Sequence, residues 1–153
     1  MSQLKKDTIA VRHGIDADKH HGAVVPPIHL STTYSFADFD SKREYDYGRS
    51  GNPNRDILAQ TLAQLEGGEH GIITATGMAA VHLVTQLLTP NDTLVIPHDC
   101  YGGSYRLFTS LAKRGLLKVE VIDFTQSNCY QRLVAAKPKL VWIETPSNPI
   151  LRL

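Results

Sequence analysis

Four short segments of the sequence contain residue types that could bind an anionic or aromatic ligand. The first runs from Thr74 to Ala80, where small residues join an apolar stretch to a predicted helix. Free N–H groups at a helix start bind anions, and the helix dipole adds a partial charge of about +0.5. Because glycine lets an anion approach the backbone closely, this segment is a candidate phosphate-binding site. An ordinary turn containing glycine explains the same segment equally well.

The second segment runs from Tyr47 to Pro53 and includes Arg49. The guanidinium group of an arginine can form paired hydrogen bonds with a phosphate, and a neighbouring tyrosine hydroxyl can add another. Taken alone, however, the segment favours a simpler interpretation, in which a glycine-rich turn with a solvated arginine precedes a helix.

The third segment, His98 to Ser104, follows a short apolar run and offers Tyr101 as a ring that could stack on an aromatic ligand. His98, Asp99 and Cys100 are adjacent, and neighbouring strand residues point to opposite faces, so we do not expect them to form one catalytic group. Cys100 is expected to be a small buried apolar residue. The sequence also lacks the cysteine and histidine spacing of zinc sites, so no metal is predicted.

The fourth segment, Glu144 to Pro149, also follows a predicted strand. Asn148 could donate a hydrogen bond to a ligand oxygen there, but a simple Asn-Pro turn is an equally good interpretation. In an open parallel sheet, ligands bind beyond the carboxyl ends of the strands, which is where the third and fourth segments fall.

Helical and extended patterns alternate from Asn52 onwards and position these segments. Asn52 is a suitable N-cap, Pro53 suits the first helical turn, and Gly67 is a suitable stop. Such alternation indicates a parallel sheet with helices on both faces, that is, a three-layer α/β/α arrangement of the α/β class. The predicted helices are 53–66, 77–88, 104–114 and 127–136, and the predicted strands are 71–76, 93–97, 119–124 and 140–145.

Residues 1–51 show no sustained helical or strand period, and we expect them to form an extended arm without a core of its own. Such an arm must lie on another surface, either that of its own domain or that of a partner subunit. Residues 52–153 are expected to form the first part of a larger domain, because the regular pattern stops soon after the last predicted strand. We therefore expect a truncated sheet that aggregates or is only marginally stable by itself.

The composition is typical of a cytosolic protein and disfavours several functional classes. Basic and acidic residues nearly balance, with a formal net charge of +1, so neither nucleic acid nor a membrane surface is an expected partner. The longest apolar stretches fall far short of the roughly 20 residues that a membrane-spanning helix needs. The first residues lack the apolar core of a secretory signal, and two cysteines are too few for a disulfide framework.

In their order and spacing, the four segments resemble the trans-sulfuration family of enzymes that depend on pyridoxal 5′-phosphate (PLP). The resemblance extends from about Thr8 to Arg152 and includes a fifth segment, Val24 to Tyr34. It implies a fold similar to the large domain of aspartate aminotransferase, PLP as the cofactor, small amino acids as substrates and a role in methionine biosynthesis. It also implies a homotetramer built as a dimer of dimers, with the N-terminal arm packed on the partner subunit.

The resemblance assigns cofactor-binding roles to five residues. The backbone N–H groups of Gly77 and Met78 would bind the cofactor phosphate. Tyr101 would stack on the pyridine ring and is the one catalytic residue that the resemblance places in this chain. Tyr47 and Arg49 would reach across a dimer interface to the phosphate held by the neighbouring subunit.

Three further residues are assigned by the resemblance to the surroundings of the substrate. Asn148 would lie near the phenolic oxygen of the cofactor or near the substrate carboxylate. Asp46 and Arg106 match positions that face the acyl group of an activated homoserine. Two departures from the family pattern are present: Asn54 replaces a usual threonine, and Ser50 stands where some members have another arginine. The second departure leaves the preferred acyl group open.

Within the family, the likeness is greatest to the γ-synthases, which combine cysteine with an O-acyl-homoserine to give cystathionine by γ-replacement. Cystathionine β- and γ-lyases, methionine γ-lyase and homocysteine synthase share most of the segments and remain alternatives. A dinucleotide-binding domain is disfavoured, because the glycines at 67–71 precede their predicted strand and no Gly-x-Gly-x-x-Gly opens a helix.

The resemblance also implies a lysine that forms a Schiff base with PLP, and in the family this lysine lies later in the sequence than these segments. None of the eight lysines here has the Ser-x-Thr-Lys setting that the family uses. We therefore expect that the 153-residue chain by itself has no normal turnover. A non-catalytic fragment that binds PLP weakly, or binds only a partner subunit, is the remaining alternative.

Overall fold

The computed structural model describes residues 4–153, which divide into two compact units that meet in the sequence between Ile73 and Thr74. In the first unit, α1 (Lys6–Arg12) and α2 (Pro53–Glu66) pack against each other. The second unit contains, in chain order, α3 (Gly77–Thr85), β1 (Thr93–Pro97), α4 (Gly102–Lys113), β2 (Lys118–Ile122), α5 (Cys129–Ala136) and β3 (Leu140–Val141). Within residues 4–153, no helix combines the length and the apolar character that crossing a membrane requires.

Helix α2 begins and ends at the residues that the sequence predicts. The Asn52 side chain accepts hydrogen bonds from the N–H groups of Asn54 at 3.0 Å and Arg55 at 3.5 Å, donors that a helix start otherwise leaves free. Gly67 ends the helix with φ 73°, in the left-handed region where glycine is favoured. The predicted helix at 53–66 is therefore confirmed.

Helix α1 lies within the stretch that the sequence predicts to be an extended arm, so residues 6–12 depart from that prediction. Seven residues make only two turns, which are too few for a helical period to stand out in the sequence. A helix this short is not stable alone, because nucleation costs more than a few hydrogen bonds return. Its packing against α2 is therefore what maintains it.

The remainder of the arm folds back on itself and is attached to α2 within the first unit. The Gly48 N–H donates to the carbonyl oxygen of Thr32 at 2.7 Å, which brings two parts of the arm together. The side chain of Asn54, in the first turn of α2, donates to Pro27 O and accepts from the His29 N–H, both at 2.7 Å. Asn54, a departure from the family pattern, thus ties the arm to the helix.

The second unit confirms the predicted α/β class. Its three strands are parallel and lie in the order β2-β1-β3, with β1 at the centre. Leu94 and Ile96 of β1 pack with Phe108 and Leu111 of α4 in the main hydrophobic core. Helix α4 therefore covers one face of the sheet, and α3 packs against α4.

Helix α5 covers the opposite face of the sheet. Glu120 pairs in register with Val95, whose side chain alternates with those of Leu94 and Ile96 and so points away from α4. The Glu120 carboxylate binds Arg132 of α5 at 2.6 Å, which places α5 on that side. Helices on both faces of a parallel sheet form the three-layer arrangement that the alternating pattern predicts.

Two predicted strands differ from the structure, whereas the other predicted elements agree to within a few residues. Residues 71–76 pair with no strand among residues 4–153, and an apolar run without a partner remains irregular chain. Strand β3 ends at Val141 rather than at 145. Trp142 donates to Val95 O at 2.8 Å, but the next residue on β1 in line to donate is Pro97, which has no N–H. The pairing therefore stops there.

Candidate functional site

The start of α3 leaves two backbone donors available. Thr76 caps the helix, since its Oγ1 accepts from the Ala79 N–H and its carbonyl oxygen from the Ala80 N–H, both at 3.1 Å. The N–H groups of Gly77 and Met78 have no acceptor in the part of the chain that the structure describes. A Cβ atom at Gly77 would meet nothing within 4 Å. An anion could therefore approach both N–H groups.

The ring of Tyr101 lies beside this helix start. Tyr101 follows β1 and is the N-cap of α4, and it is half exposed. A Cβ atom at Gly103 would collide with the Tyr101 ring and would lie 3.0 Å from Met78 Sδ. The absence of a side chain at Gly103 thus lets the ring approach the first turn of α3. The structure in this way brings together Gly77, Met78 and Tyr101, three of the predicted cofactor-binding residues.

A carboxylate without an assigned role in the sequence analysis anchors Tyr101. Glu144 Oε2 accepts from the Tyr101 N–H at 2.6 Å, and Glu144 Oε1 accepts from Trp142 Nε1 at 2.8 Å. Glu144 follows β3 and Tyr101 follows β1, so the pairing of these two strands brings the residues together. The sequence could have pointed to Glu144 as a carboxylate that follows a predicted strand. Its partner Tyr101 lies 43 residues earlier and is identified only by the strand order.

Arg106 and Asn148, the predicted substrate-binding residues of the second unit, are both exposed. Arg106 lies in α4 one turn after Gly102, and its Nη1 atom would be 3.2 Å from a Cβ atom there, which places the guanidinium group beside Gly102, the residue after Tyr101. Asn148 lies in the turn after β3 and forms no hydrogen bond within residues 4–153. Its amide group is therefore available to a ligand, but no hydrogen bond joins Asn148 to Tyr101.

Cys100 is buried in the core, at 8% exposure. Burial, and then the negative charge of Glu144, raises the pKa of the Cys100 thiol to about 11. The thiol therefore stays protonated at neutral pH and is a poor nucleophile. The prediction of a small buried apolar residue is confirmed.

A separate group of charged residues surrounds His98 at the carboxyl edge of the sheet. His98 Nδ1 lies 3.4 Å from Asp123 Oδ1, and hydrogen bonds from Thr125 are the main reason that the pKa of Asp123 falls to about 2. Arg152 Nη1 lies 3.1 Å from His98 Nε2 and 3.4 Å from Asp99 Oδ2. Arg152 and Asp99 form an ion pair, and Asp123 accepts hydrogen bonds from Thr125 and Gln126, which favours a structural role. Within residues 4–153, no three or more His, Cys, Asp or Glu side chains are arranged to hold a metal ion.

In the first unit, Tyr47 and Arg49 line a cavity of about 490 Å³ together with Arg55 and His29. The Arg49 guanidinium lies over the Tyr47 ring, with Cζ 4.9 Å from the ring centroid. Arg55, in the first turn of α2, donates to Gly48 O at 3.3 Å and to Arg49 O at 3.4 Å. Two arginines and a tyrosine around one cavity suit a phosphate. Arg55 is not among the residues predicted from the sequence, although its position three residues after the N-cap Asn52 is a usable signal.

Asp46, predicted to face the acyl group of the substrate, is paired within the first unit. Lys42 Nζ lies 2.6 Å from Asp46 Oδ2, and Ser50 Oγ donates to Asp46 Oδ1 at 3.0 Å. The hydrogen bond from Lys42, and then the one from Ser50, lowers the pKa of Asp46. Ser50, the second departure from the family pattern, thus supports the Asp46 carboxylate in this chain.

Each unit contains residues that fit the cofactor implied by the family resemblance. In the second unit, two open N–H groups at the positive end of a helix suit a phosphate. The half-exposed Tyr101 ring beside them suits an aromatic heterocycle. In the first unit, Arg49 and Arg55 line a cavity that also suits a phosphate.

Comparison with known proteins identifies a family. Residues 7–153 match the family described as Cys/Met metabolism PLP-dependent enzyme. The chain is 55% identical to cystathionine gamma-synthase of Escherichia coli K12, over 97% of this chain and 39% of that protein. It is 41% identical to cystathionine beta-lyase of Coxiella burnetii, over 96% of this chain and 38% of that protein.

A solved structure has the same fold as this chain. The chain matches cystathionine gamma synthase from Xanthomonas oryzae pv. oryzae, crystallised in complex with aminoacrylate and cysteine, with a TM-score of 0.94 and 54% identity. The match covers 99% of this chain and 40% of the X. oryzae chain. The chain therefore spans about two fifths of the length of these relatives.

Proposed function

Because the chain belongs to the Cys/Met metabolism PLP-dependent enzyme family, we propose that the protein acts as a cystathionine γ-synthase. The reaction joins an O-acyl-homoserine to cysteine, gives cystathionine and releases the acyl group as a carboxylic acid. Identity of 55% to the E. coli γ-synthase, against 41% to the C. burnetii β-lyase, supports this choice within the family. The observation that carries it is the Tyr101 ring beside two open N–H groups at the start of α3.

The start of α3 would hold the phosphate of PLP. Gly77 and Met78 would each donate a backbone N–H, and the positive end of the helix dipole would stabilise the negative charge. The Tyr101 ring would lie against the pyridine ring, keep it in one orientation and exclude water from that face. When bound, PLP withdraws electrons from the amino-acid substrate, which makes elimination at the γ-carbon possible.

Tyr47 and Arg49 would bind the phosphate held by a neighbouring subunit. Their cavity supports this role, because guanidinium groups form paired hydrogen bonds with phosphate. Arg55 would hold the segment in place through the carbonyl oxygens of Gly48 and Arg49. A homotetramer, an arm packed on the partner subunit and a cytosolic location remain predictions from the family resemblance.

Asp46, Arg106 and Asn148 would contact the substrate. The exposed Arg106, whose side chain lies beside Gly102, has a guanidinium group that suits a carboxylate. The available amide of Asn148 would donate to an oxygen of the cofactor or of the substrate carboxylate. Asp46, with Lys42 as its partner, would offer both a negative and a positive group to the acyl end of the substrate.

Product analysis of the protein in the form that its own cells produce, purified and loaded with PLP, tests the proposed reaction. With cysteine and a series of O-acyl-homoserines, the protein should form cystathionine and the corresponding acid, which mass spectrometry identifies. With cystathionine as the sole substrate, release of homocysteine or cysteine should be much slower. Fast cleavage of cystathionine without its synthesis would assign the protein to the lyases instead. The acyl-homoserine that gives the highest kcat/KM would identify the natural acyl group.

A further inference from the structure

We propose that Glu144 is a positioning residue that fixes the Tyr101 ring at the cofactor site, acting through the backbone N–H of Tyr101. The inference deepens the proposed function and rests on it, because it requires that Tyr101 packs on the cofactor ring. Its basis is a carboxylate held at two points. One Glu144 oxygen accepts from the Tyr101 N–H at 2.6 Å, and the other accepts from Trp142 Nε1 at 2.8 Å.

Tyr101 depends on an external anchor, because its own side chain supplies none. Tyr101 is the N-cap of α4, but its side chain forms no capping hydrogen bond. The ring is half exposed, and its hydroxyl group has no hydrogen-bond partner within residues 4–153. The ring is in van der Waals contact with Gly103, and its position otherwise follows that of the Tyr101 backbone, whose N–H is held by Glu144.

Glu144 can hold Tyr101 in place because it is itself attached to the core. Trp142, which donates to Glu144, packs edge-on against Phe108 with ring centroids 5.5 Å apart. Phe108 is 1% exposed and belongs to the core between α4 and the sheet. Contacts thus run continuously from the core through Trp142 and Glu144 to Tyr101. A shift of the Tyr101 backbone would break a charge-assisted hydrogen bond, which is about twice as strong as a neutral one.

The chemistry of the two partners explains why position 144 requires a carboxylate of this length. Both partners are N–H donors, and a carboxylate can accept with each of its oxygens. Glutamine has the same length but one acceptor oxygen, so its NH₂ group would face one of the two donors. Aspartate keeps the charge but is one methylene shorter, and could not reach Tyr101 and Trp142 together.

Binding of PLP to the apoprotein, in the form that its own cells produce, tests the inference. The readouts are the dissociation constant for PLP and the induced circular dichroism of bound PLP, which reports ring packing independently of turnover. Glu144→Gln should weaken PLP binding about tenfold, as expected when a hydrogen bond to a charged group is lost, and should reduce the dichroism. Glu120→Gln is the matched control, because it removes an exposed carboxylate of the same sheet that binds Arg132. It should change neither readout.

Combining Glu144→Gln with Tyr101→Ala separates positioning from a direct or general structural role. If Glu144 acts through Tyr101, Glu144→Gln should change PLP affinity less than about twofold in the Tyr101→Ala background. A full tenfold effect in that background, or no effect when Tyr101 is present, would overturn the inference and leave the role of Tyr101 intact. Unchanged PLP binding by Tyr101→Ala alone would overturn the proposed role of Tyr101 and the inference with it.

Trp142→Phe provides a second test should the Glu144→Gln protein fail to fold. The change removes one of the two donors to Glu144 but keeps an aromatic ring against Phe108. Loss of a neutral donor should weaken PLP binding about threefold, with a smaller dichroism band. Binding and dichroism equal to those of the unchanged protein would count against the inference.

Discussion

At the scale of single residues, the candidate site depends on a position without a side chain. The Tyr101 ring and Met78 Sδ occupy the space that a Cβ atom at Gly103 would need. Gly102, one residue earlier, faces only Arg106 Nη1, at 3.2 Å, which is the flexible end of a long side chain. Two neighbouring glycines thus differ in their importance, and only Gly103 is required for the approach of Tyr101 to α3.

Gly103→Ala should therefore push the Tyr101 ring away from the start of α3. Overpacking of this kind costs about 1–3 kcal/mol, so we expect PLP binding to weaken by about tenfold. Gly102→Ala is the matched control, because a shift of the Arg106 side chain can accommodate the added methyl group. Titration of each apoprotein with PLP measures the difference, and equal dissociation constants would contradict this account of Gly103.

Cys100 shows how the surroundings of a residue decide its chemistry. Burial, with Glu144 second, raises the pKa of the thiol from 9.0 to about 11, so the folded protein should resist alkylation by iodoacetamide near neutral pH. Reaction should accelerate as the pH approaches 11, or on unfolding at any pH, and mass spectrometry of the Cys100 peptide measures it. The folded protein holds the thiol proton more tightly than the unfolded chain does. The contribution of Cys100 to the free energy of unfolding is therefore complete below pH 9 and is lost between about pH 9 and 11. Rapid alkylation of the native protein at neutral pH would be inconsistent with this environment.

At the scale of secondary-structure elements, local hydrogen bonds decide how firmly a helix begins. Asn52 and Asn128 are the N-caps of α2 and α5, but only the Asn52 side chain accepts from the first turn of its helix. Asn52 Nδ2 also lies 3.3 Å from His29 O and 3.3 Å from the Tyr34 hydroxyl. One side chain thus both caps α2 and links it to the arm.

Asn52→Ala should loosen the first turn of α2 by about 1 kcal/mol or more. Amide hydrogen exchange in that turn should accelerate about fivefold, because the local opening equilibrium shifts by this amount. Asn128→Ala makes the same change at a cap without a side-chain hydrogen bond, and exchange in α5 should hardly change. Hydrogen-exchange mass spectrometry compares the two helices, and equal acceleration in both would argue against a special role for Asn52.

At the scale of the whole molecule, the candidate residues fall into two units of one chain. Tyr47 and Arg49 belong to the first unit, whereas Gly77, Met78 and Tyr101 belong to the second. The proposed function uses all five at one cofactor, with Tyr47 and Arg49 supplied by a neighbouring subunit. In a symmetric dimer, each site would then contain residues of both subunits.

Subunit mixing tests this arrangement in the protein as its own cells produce it. Arg49→Ala and Tyr101→Ala should each impair both sites of their own dimers, but a mixed dimer would have one intact site. Random assembly of equal amounts makes about half of the dimers mixed, so about a quarter of the sites should recover. The γ-replacement rate of co-expressed variants measures the recovery. The control is a mixture of Arg49→Ala with Tyr47→Ala. Both residues would be supplied by the neighbouring subunit, so no mixed dimer has an intact site and the rate should not recover. Equal rates for the two mixtures would exclude shared sites.

The sequence by itself determined the features that depend on local interactions. The boundaries of α2 follow from Asn52 and Gly67, and β1 and α4 follow from short apolar patterns between turn residues. These signals are readable because caps, turns and periods involve residues only a few positions apart. The order of the candidate segments also indicated the family, which the match over residues 7–153 confirms. The burial of Cys100 was predicted because a free cysteine behaves as a small buried apolar residue.

The tertiary structure alone decided the features that depend on distant partners. Residues 71–76 are not a strand because nothing within residues 4–153 pairs with them, and β3 is short because its neighbour offers Pro97 as the next donor. Glu144 meets Tyr101 only because β1 and β3 are adjacent, and Gly103 matters only because Met78 lies opposite it. Such contacts join residues far apart in the chain. The free energy of a hydrogen bond or a strand pair depends on the partner that the fold brings into place, and no local pattern specifies that partner.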